Sequence, residues 1–235
     1  MARTSDPAAR ATKADAFVEV AQRLIQTKGY GRTSIQDVLD ETASSRGAFY
    51  HYFDSKEALL QAVVERITDT ALAAVEPVVH DETLRAPEKL RALFAGIGRW
   101  KMERSDLMRA ILETWIADDN AIVRAKFGQG LQKRLGPVLT TIVAQGKAEG
   151  TFAVRSPAAA ARVLVSLIAA VNETATELFV TRQAGRPSLE EVEETLFAYF
   201  NALERVLGVP DGAFTVFDRS LLREWFAPEA LEDEG

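Results

Sequence analysis

The sequence predicts an all-α fold. Apolar residues recur three and four positions apart along most of the 235 residues, a spacing that places them on one face of a helix. No segment alternates apolar and polar residues as a strand does, and no internal repeat is found. With 47% hydrophobic and 26% charged residues, the chain can bury a substantial core, which argues against wholesale disorder.

Composition also bears on the classes of site that the chain can hold. Cysteine is absent and only two histidines occur, His51 and His80, so we expect no disulfide, no cysteine nucleophile, no metal site and no cofactor. The N-terminus lacks the basic stretch and apolar run of a signal peptide. The most apolar stretch, residues 163–171, is shorter than the ~20 residues that span a membrane. A soluble cytoplasmic protein without a membrane partner is therefore expected.

The N-terminal third of the chain shows four helical patterns in succession. The first is predicted to begin after Thr12 as N-cap and to end at Lys28-Gly29, where glycine suits a left-handed cap. Thr33 is predicted to start the second helix, because Gln36 follows at capping-box spacing. Ser45 is the predicted N-cap of a third helix over 46–52, and a fourth follows Ser55.

The second and third helices, separated by residues 42–44, form a predicted helix-turn-helix over 33–53. Phe49 and Phe53, four residues apart, can anchor the third helix inward and leave its other face for the major groove of DNA. The candidate DNA-binding residues are Thr33, Ser34, Gln36, Ser45, Arg46, Gly47, Ala48, Tyr50, His51 and Lys56. Residues 1–56 contain eight Lys and Arg against seven Asp and Glu, whereas the whole chain has a net charge of −6. Any binding to DNA must therefore use a local basic face.

Residues 33–60, TSIQDVLDETASSRGAFYHYFDSKEALL, resemble the DNA-binding segment of TetR/AcrR-type regulators. The shared features are the Arg-Gly at the start of the third helix, the Phe-Tyr-His-Tyr-Phe cluster and the Ser-Lys-Glu-Ala-Leu-Leu that opens the fourth. Members of that family often have glycine and then a β-branched residue in the turn, where this chain has Ala43 and Ser44. Alanine fits if the backbone angle φ there is negative and is strained if it is left-handed.

The spacing of apolar residues predicts helices in the rest of the chain as well. Helices are predicted over 87–104, 106–117, 121–147, 157–181 and 189–207, with a kink at Gly136-Pro137 and a capping box formed by Ser188 and Glu191. The predicted division is a DNA-binding domain over 1–56 and a domain for ligand binding and dimerisation over 57–235. Wide apolar stripes on the last two helices predict a homodimer through residues 157–207.

The resemblance implies a repressor that leaves a palindromic operator when a small molecule binds its C-terminal domain. An activator and a repressor without a ligand are the nearest variants. A hydrophobic effector is predicted to contact Trp100, Met108, Glu113, Trp115, Phe127, Asn172 and Thr176. Aromatic residues and methionines at helical spacing also fill ordinary cores, and that alternative stays open.

Two functions of other classes fit the sequence less well. A helical ligand carrier would not need the 33–56 segment. An all-α enzyme would need a nucleophile, a base and an orienting group, and no such set is apparent in the sequence. The sequence identifies neither the operator nor the effector, and it leaves the role of residues 208–235 open.

Overall fold

The computed structural model describes residues 7–115, 121–183, 187–213 and 219–226, and the regular structure in these ranges is entirely helical. The predicted all-α fold is confirmed. The helices are α1 (Pro7–Lys28), α2 (Ile35–Glu41), α3 (Arg46–Tyr50), α4 (Lys56–Ala73), α5 (Glu76–His80), α6 (Ala86–Met102), α7 (Ser105–Trp115), α8 (Ala121–Ala148), α9 (Pro157–Gln183), α10 (Leu189–Leu207) and α11 (Arg219–Phe226).

The first compact unit contains residues up to 71 together with residues 101–130. In it, α1 packs against α2 and α7. The aromatic centre of the core is Phe17, whose ring meets that of Phe49 edge to face at a centroid distance of 5.6 Å. Val123 of α8 belongs to the same cluster of buried side chains. This unit therefore joins two separate stretches of sequence around one core.

The second compact unit contains residues 72–100 and those from 131 onward. Here α9 packs along α10, and α11 contacts both of them. Polar contacts reinforce the packing, because Thr174 and Tyr199 share a hydrogen bond of 2.8 Å between their hydroxyls. The segment after α10 is held by Glu204, whose buried carboxylate accepts a hydrogen bond of 2.8 Å from the Gly212 N–H.

The start of α6 is fastened to the end of α8 by Glu149. One carboxylate oxygen accepts from the Ala86 N–H at 3.1 Å, and the other accepts from the Gln145 side-chain amide at 2.6 Å. The same Gln145 amide donates to the Leu84 carbonyl at 3.0 Å. The hydrogen bonds to its carboxylate, chiefly the one from Gln145, hold the pKa of Glu149 below its usual value. A residue 63 positions away thus satisfies one of the free N–H groups that begin helix α6.

Several predicted helix bounds are confirmed and others are wrong. The glycine cap is confirmed, because Gly29 has φ +81° and donates to the Ile25 carbonyl at 2.9 Å. Thr12 is not an N-cap, since α1 already begins at Pro7, and proline is well tolerated in a first helical turn. The predicted capping box of Ser188 and Glu191 is present. Helix α5 was not predicted.

Helix α5 follows α4 closely and holds Pro77, which was expected only to limit α4. Helix α4 already ends at Ala73, and proline at the start of α5 lacks an N–H that would have had no helical partner there. The buried Lys89 of α6 donates from its ammonium to the Val79 carbonyl at 2.8 Å. This bond joins the last turn of α5 to a residue ten positions away, so no local sequence pattern predicts it.

One helix, over residues 157–182, is long and apolar enough to cross a membrane by length and composition alone, with 22% of its most apolar window buried. Core helices of soluble proteins pass the same test. Within the described residues this segment packs against α10 and α11.

Candidate nucleic-acid interface

Helix α2 begins one residue later than predicted, at a capping box formed by Ser34 and Asp37. The Asp37 N–H donates to the Ser34 hydroxyl oxygen at 3.1 Å, and the Ser34 N–H donates to the Asp37 carboxylate at 2.6 Å. Lys28 adds an ion pair of 2.9 Å to Asp37. The hydroxyl of Ser34 and then the Lys28 ammonium hold the pKa of Asp37 well below its usual range. The end of α1 and the start of α2 are thereby joined through one carboxylate.

Thr33 does not begin this helix, contrary to the prediction. Its hydroxyl donates to the Gly29 carbonyl at 2.8 Å, its N–H donates to the Tyr30 carbonyl at 3.1 Å, and the residue is 4% exposed. Both of its donors therefore serve the exit from α1. Gln36, its expected capping partner, instead donates from its side chain to Asp40 at 2.8 Å.

The turn between α2 and α3 contains a left-handed alanine. Ala43 has φ +48° and is the one residue other than glycine with a positive φ within the described part of the chain. The turn is closed by the Ser44 N–H, which donates to the Leu39 carbonyl at 3.0 Å. The strained alternative for alanine at this turn is therefore the one that the chain adopts.

Helix α3 is anchored by aromatic rings on one side and open on the other. Phe49 is fully buried, and Phe53, just beyond the helix, is also buried in the same core. The Ser45 hydroxyl caps the helix by accepting from the Ala48 N–H at 3.2 Å, which confirms the predicted N-cap. On the open side Tyr50 is 53% exposed, although its ring stands edge to face on Phe49 at 5.4 Å. A short helix held rigidly in this way can present its outer face to a groove.

Lys56 lies at the start of α4 and is half-buried. Its ammonium donates to the Tyr30 carbonyl at 2.7 Å and lies 4.0 Å from the centroid of the Tyr30 ring. Burial lowers the pKa of Lys56. The Lys56 ammonium therefore already links the start of α4 to the α1–α2 connection. The predicted contact with DNA phosphate would use the same ammonium.

The remaining DNA-binding candidates lie on the surface. Ser34, Gln36, Ser45, Arg46, Gly47, Tyr50 and His51 are exposed, and Ala48 is half-buried. The helix-turn-helix thus collects the predicted residues on α2, on α3 and at the ends of these helices, with Thr33 as the exception. Their contact with DNA stays a prediction.

The predicted effector residues are divided between the two units. Met108 and Phe127 belong to the first unit, where Phe127 packs on the core around Phe17. Trp100 is buried in the second unit. The side chains of Glu113 and Trp115 lie outside the described residues.

Two further effector candidates lie on α9, and both bond to the backbone of their own helix. Thr176 donates to the Asn172 carbonyl at 2.7 Å, and Asn172 donates to the Ile168 carbonyl at 2.8 Å. A small cavity of about 10 Å³ in the first unit is lined by residues of α1, α2, α4 and the α1–α2 connection, and none of the predicted effector residues lines it. The effector site therefore stays a prediction.

Comparison with known proteins identifies the helix-turn-helix. The family model described as "Bacterial regulatory proteins, tetR family" matches residues 17–63, which extend from the centre of α1 into α4. The match covers about a fifth of the chain, so the likeness to the TetR family is shown for this segment. The expected resemblance is thereby confirmed for residues 17–63, a segment that we call the head.

Curated relatives share mainly this head. The chain is 49% identical over 49 residues to an HTH-type transcriptional regulator of Lactococcus lactis subsp. lactis, covering 21% of this chain and 25% of the relative. It is 31% identical over 88 residues to the HTH-type transcriptional regulator TtgR of Pseudomonas putida, covering 37% of each. A longer match, 26% identical, joins it to EthR of Mycolicibacterium smegmatis over 53% of this chain and 65% of the relative. The first three curated relatives are covered over only 25%, 20% and 27% of their length.

Solved structures extend the likeness to the whole fold. RolR in complex with resorcinol has a TM-score of 0.60 at 19% identity, covering 94% of this chain and 96% of that one. The complex of SmeT with triclosan has a TM-score of 0.51 at 20% identity, covering 88% and 98%. The fold thus combines an N-terminal helix-turn-helix with a C-terminal helical domain.

Proposed function

We propose that this chain is a homodimeric transcriptional repressor that binds a palindromic operator and releases it when a small, largely apolar molecule binds. In this proposal, residues 1–56 contact DNA, and residues 57–235 bind the effector and form the dimer. The observation that carries the proposal is helix α3, whose inner face is locked on Phe17 through Phe49 while Tyr50 stands out from the opposite surface.

The DNA contacts are assigned by exposure and chemistry. Arg46 is the exposed cation of α3 and suits phosphate or the edge of guanine, while Tyr50 and Ala48 suit phosphate or thymine methyl groups. Because an ammonium has three N–H donors, the bond from Lys56 to the Tyr30 carbonyl leaves room for a second bond to phosphate. The proposed interface omits Thr33, because its donors are already used and its side chain is buried.

The dimer is proposed to form through α9 and α10. In a single chain, α9 leaves a line of small and apolar residues at the surface, including Ala159, Val163 and Ser166, and Val163 is 47% exposed. A second copy of the same helix pair would cover this line in an isologous four-helix contact. Two heads would then address half-sites about one turn of DNA, roughly 34–36 Å, apart.

The test of DNA binding is selection from a random duplex library, followed by anisotropy titration of the selected duplex. We expect a palindrome with two half-sites, and we expect Tyr50→Ala to weaken binding by about tenfold or more. Tyr50→Phe separates the hydroxyl from the ring, and Glu82→Ala, at an exposed residue before α6, serves as the control. Binding that selects no sequence and disappears at moderate salt would contradict the proposal.

The effector is tested by asking whether its binding weakens binding of the protein to the operator. Relatives of similar fold have been solved with resorcinol and with triclosan, so these two compounds are the first probes. To reverse a 99:1 preference for the DNA-binding state, a ligand needs about 5.5 kcal/mol of differential affinity between the two states. The proposal requires a compound that both raises the melting temperature and dissociates the operator complex. If every compound that stabilises the protein left operator affinity unchanged, effector release would be contradicted.

A further inference from the structure

Gly47, in the first turn of α3, has no evident reason within the protein to be glycine. Its φ is not among the positive values, so its backbone conformation is open to any residue. A Cβ added there would meet only the Ser45 hydroxyl oxygen, at 4.0 Å. By contrast, a Cβ on Gly96 or Gly146 would come within 2.6 Å of Val75 or 2.1 Å of Phe152. Packing therefore explains those two glycines but not Gly47, Gly31, Gly98 or Gly128, and Gly47 is the one of these four on helix α3.

Glycine at this position weakens the helix. A helical glycine loses more backbone entropy on folding than alanine and buries no side chain in return. Helix α3 has only five residues, so it depends on its cap at Ser45 and its anchor at Phe49 to form at all. An alanine at position 47 would support the helix better without disturbing any neighbour.

The position of Gly47 on the helix suggests what it accommodates. Successive helical residues are 100° apart, so Gly47 lies about 200° around the helix from Phe49, on the side opposite the core. Tyr50 and His51, both exposed, lie about 60° and 40° to either side of Gly47 around the helix. Without a side chain at 47, the outermost surface of α3 is its own backbone.

We propose that Gly47 is the point of closest approach between α3 and the floor of the operator's major groove. This inference rests on the proposed function and adds to it a residue that determines how deeply the helix docks. The base pair under Gly47 is read by close van der Waals fit to the backbone, and the neighbouring side chains reach their base edges only at that depth. A methyl group at position 47 pushes the helix outward and withdraws the contacts on both sides.

The test is Gly47→Ala in the full-length chain, measured by melting temperature and by anisotropy on the selected operator and on an unrelated duplex. We expect a melting temperature that is equal or up to about 3 °C higher. Affinity for the operator should fall by about ten- to a hundredfold, as expected for a methyl group forced into a packed contact. Affinity for the unrelated duplex should change far less, because it depends on phosphate contacts.

Gly47→Leu extends the series, since leucine also favours a helix and adds more volume. It should bind the operator still more weakly, with an unchanged dependence on salt, because the effect is steric. Gly128→Ala is the matched control: Gly128 lies inside helix α8, and an added Cβ there would also meet nothing within 4 Å. It should leave operator affinity unchanged.

Three results would overturn the inference. Operator affinity retained in Gly47→Ala would show that α3 does not approach DNA closely at this residue. A lowered melting temperature together with equal losses on both duplexes would assign glycine a structural role instead. If the wild-type chain bound no duplex at all, the proposed function itself would fail as well, so the two failures are distinguishable.

Discussion

At the scale of single residues, positions 43 and 47 have opposite mismatches between residue type and backbone. Ala43 adopts φ +48°, which glycine would accept without strain, whereas Gly47 has a backbone that alanine would accept. Both lie within the helix-turn-helix, where local stability and the proposed DNA contact impose different demands. Residues that contradict local preference are expected at functional sites.

Ala43→Gly should stabilise the protein. Relief of the left-handed strain, about 1–2 kcal/mol, exceeds the extra entropy that glycine gives the unfolded chain, so we expect a net gain of about 0.5–1 kcal/mol. Urea denaturation measures it. Ala144→Gly, at an exposed position inside helix α8, should lose about 1 kcal/mol, and a similar loss at position 43 would contradict the strain argument.

Asp37 should make the stability of the head depend on pH. Its pKa is lowered in the folded state, so its contribution is fully present above the pKa of the unfolded chain, near 4, and is lost as the pH falls toward the folded value. Asp37→Asn should lower the melting temperature at pH 7 by a few degrees, and the difference from wild type should shrink below about pH 4. Asp15→Asn, at an exposed position in α1, is the control. A difference that stays constant from pH 7 to pH 2 would show that ionisation of Asp37 plays no part.

At the scale of secondary structure elements, the sequence predicts those helices whose signals are local. Apolar spacing and the Ser45 and Ser188 caps place α3 and α10 well. The start of α2 was predicted one residue early, because Thr33 and Ser34 both suit an N-cap and only the structure shows the Thr33 hydroxyl bonded to Gly29. Helix α5 escaped prediction because the Lys89 ammonium that holds its last turn comes from ten residues away. The effector residues could not be placed, since their burial depends on how distant helices pack.

Glu149 provides a prediction for helix α6. Glu149→Ala removes the acceptor of the Ala86 N–H and of the Gln145 amide, so the first turn of α6 should open more often. We expect its amides to exchange with solvent deuterium at least about fivefold faster. Glu149→Gln retains one carbonyl acceptor and should have a smaller effect. Unchanged exchange at Ala86 in the alanine variant would show that this bond does not hold the helix.

At the scale of the whole molecule, assembly should be governed by the exposed line on α9. Val163→Glu places a charge on that line, and burial of an unpaired carboxylate in a dimer is costly. We expect sedimentation at micromolar concentration to change from dimer to monomer, with a loss of binding to the full palindrome. Ala144→Glu, on the exposed side of α8, should remain dimeric. A dimeric Val163→Glu variant would place the contact elsewhere.

The discontinuous core of the first unit also limits how this chain can be recombined with other proteins. Val123 is buried in the same cluster as Phe17, and α7 packs on α1, so the head is completed by residues 101–130. A chimaera that grafts residues 1–71 onto another sensor domain would leave that apolar surface without its own cover. A biosensor built from this chain needs its splice sites on both sides of residues 101–130, or a matching surface designed into the recipient.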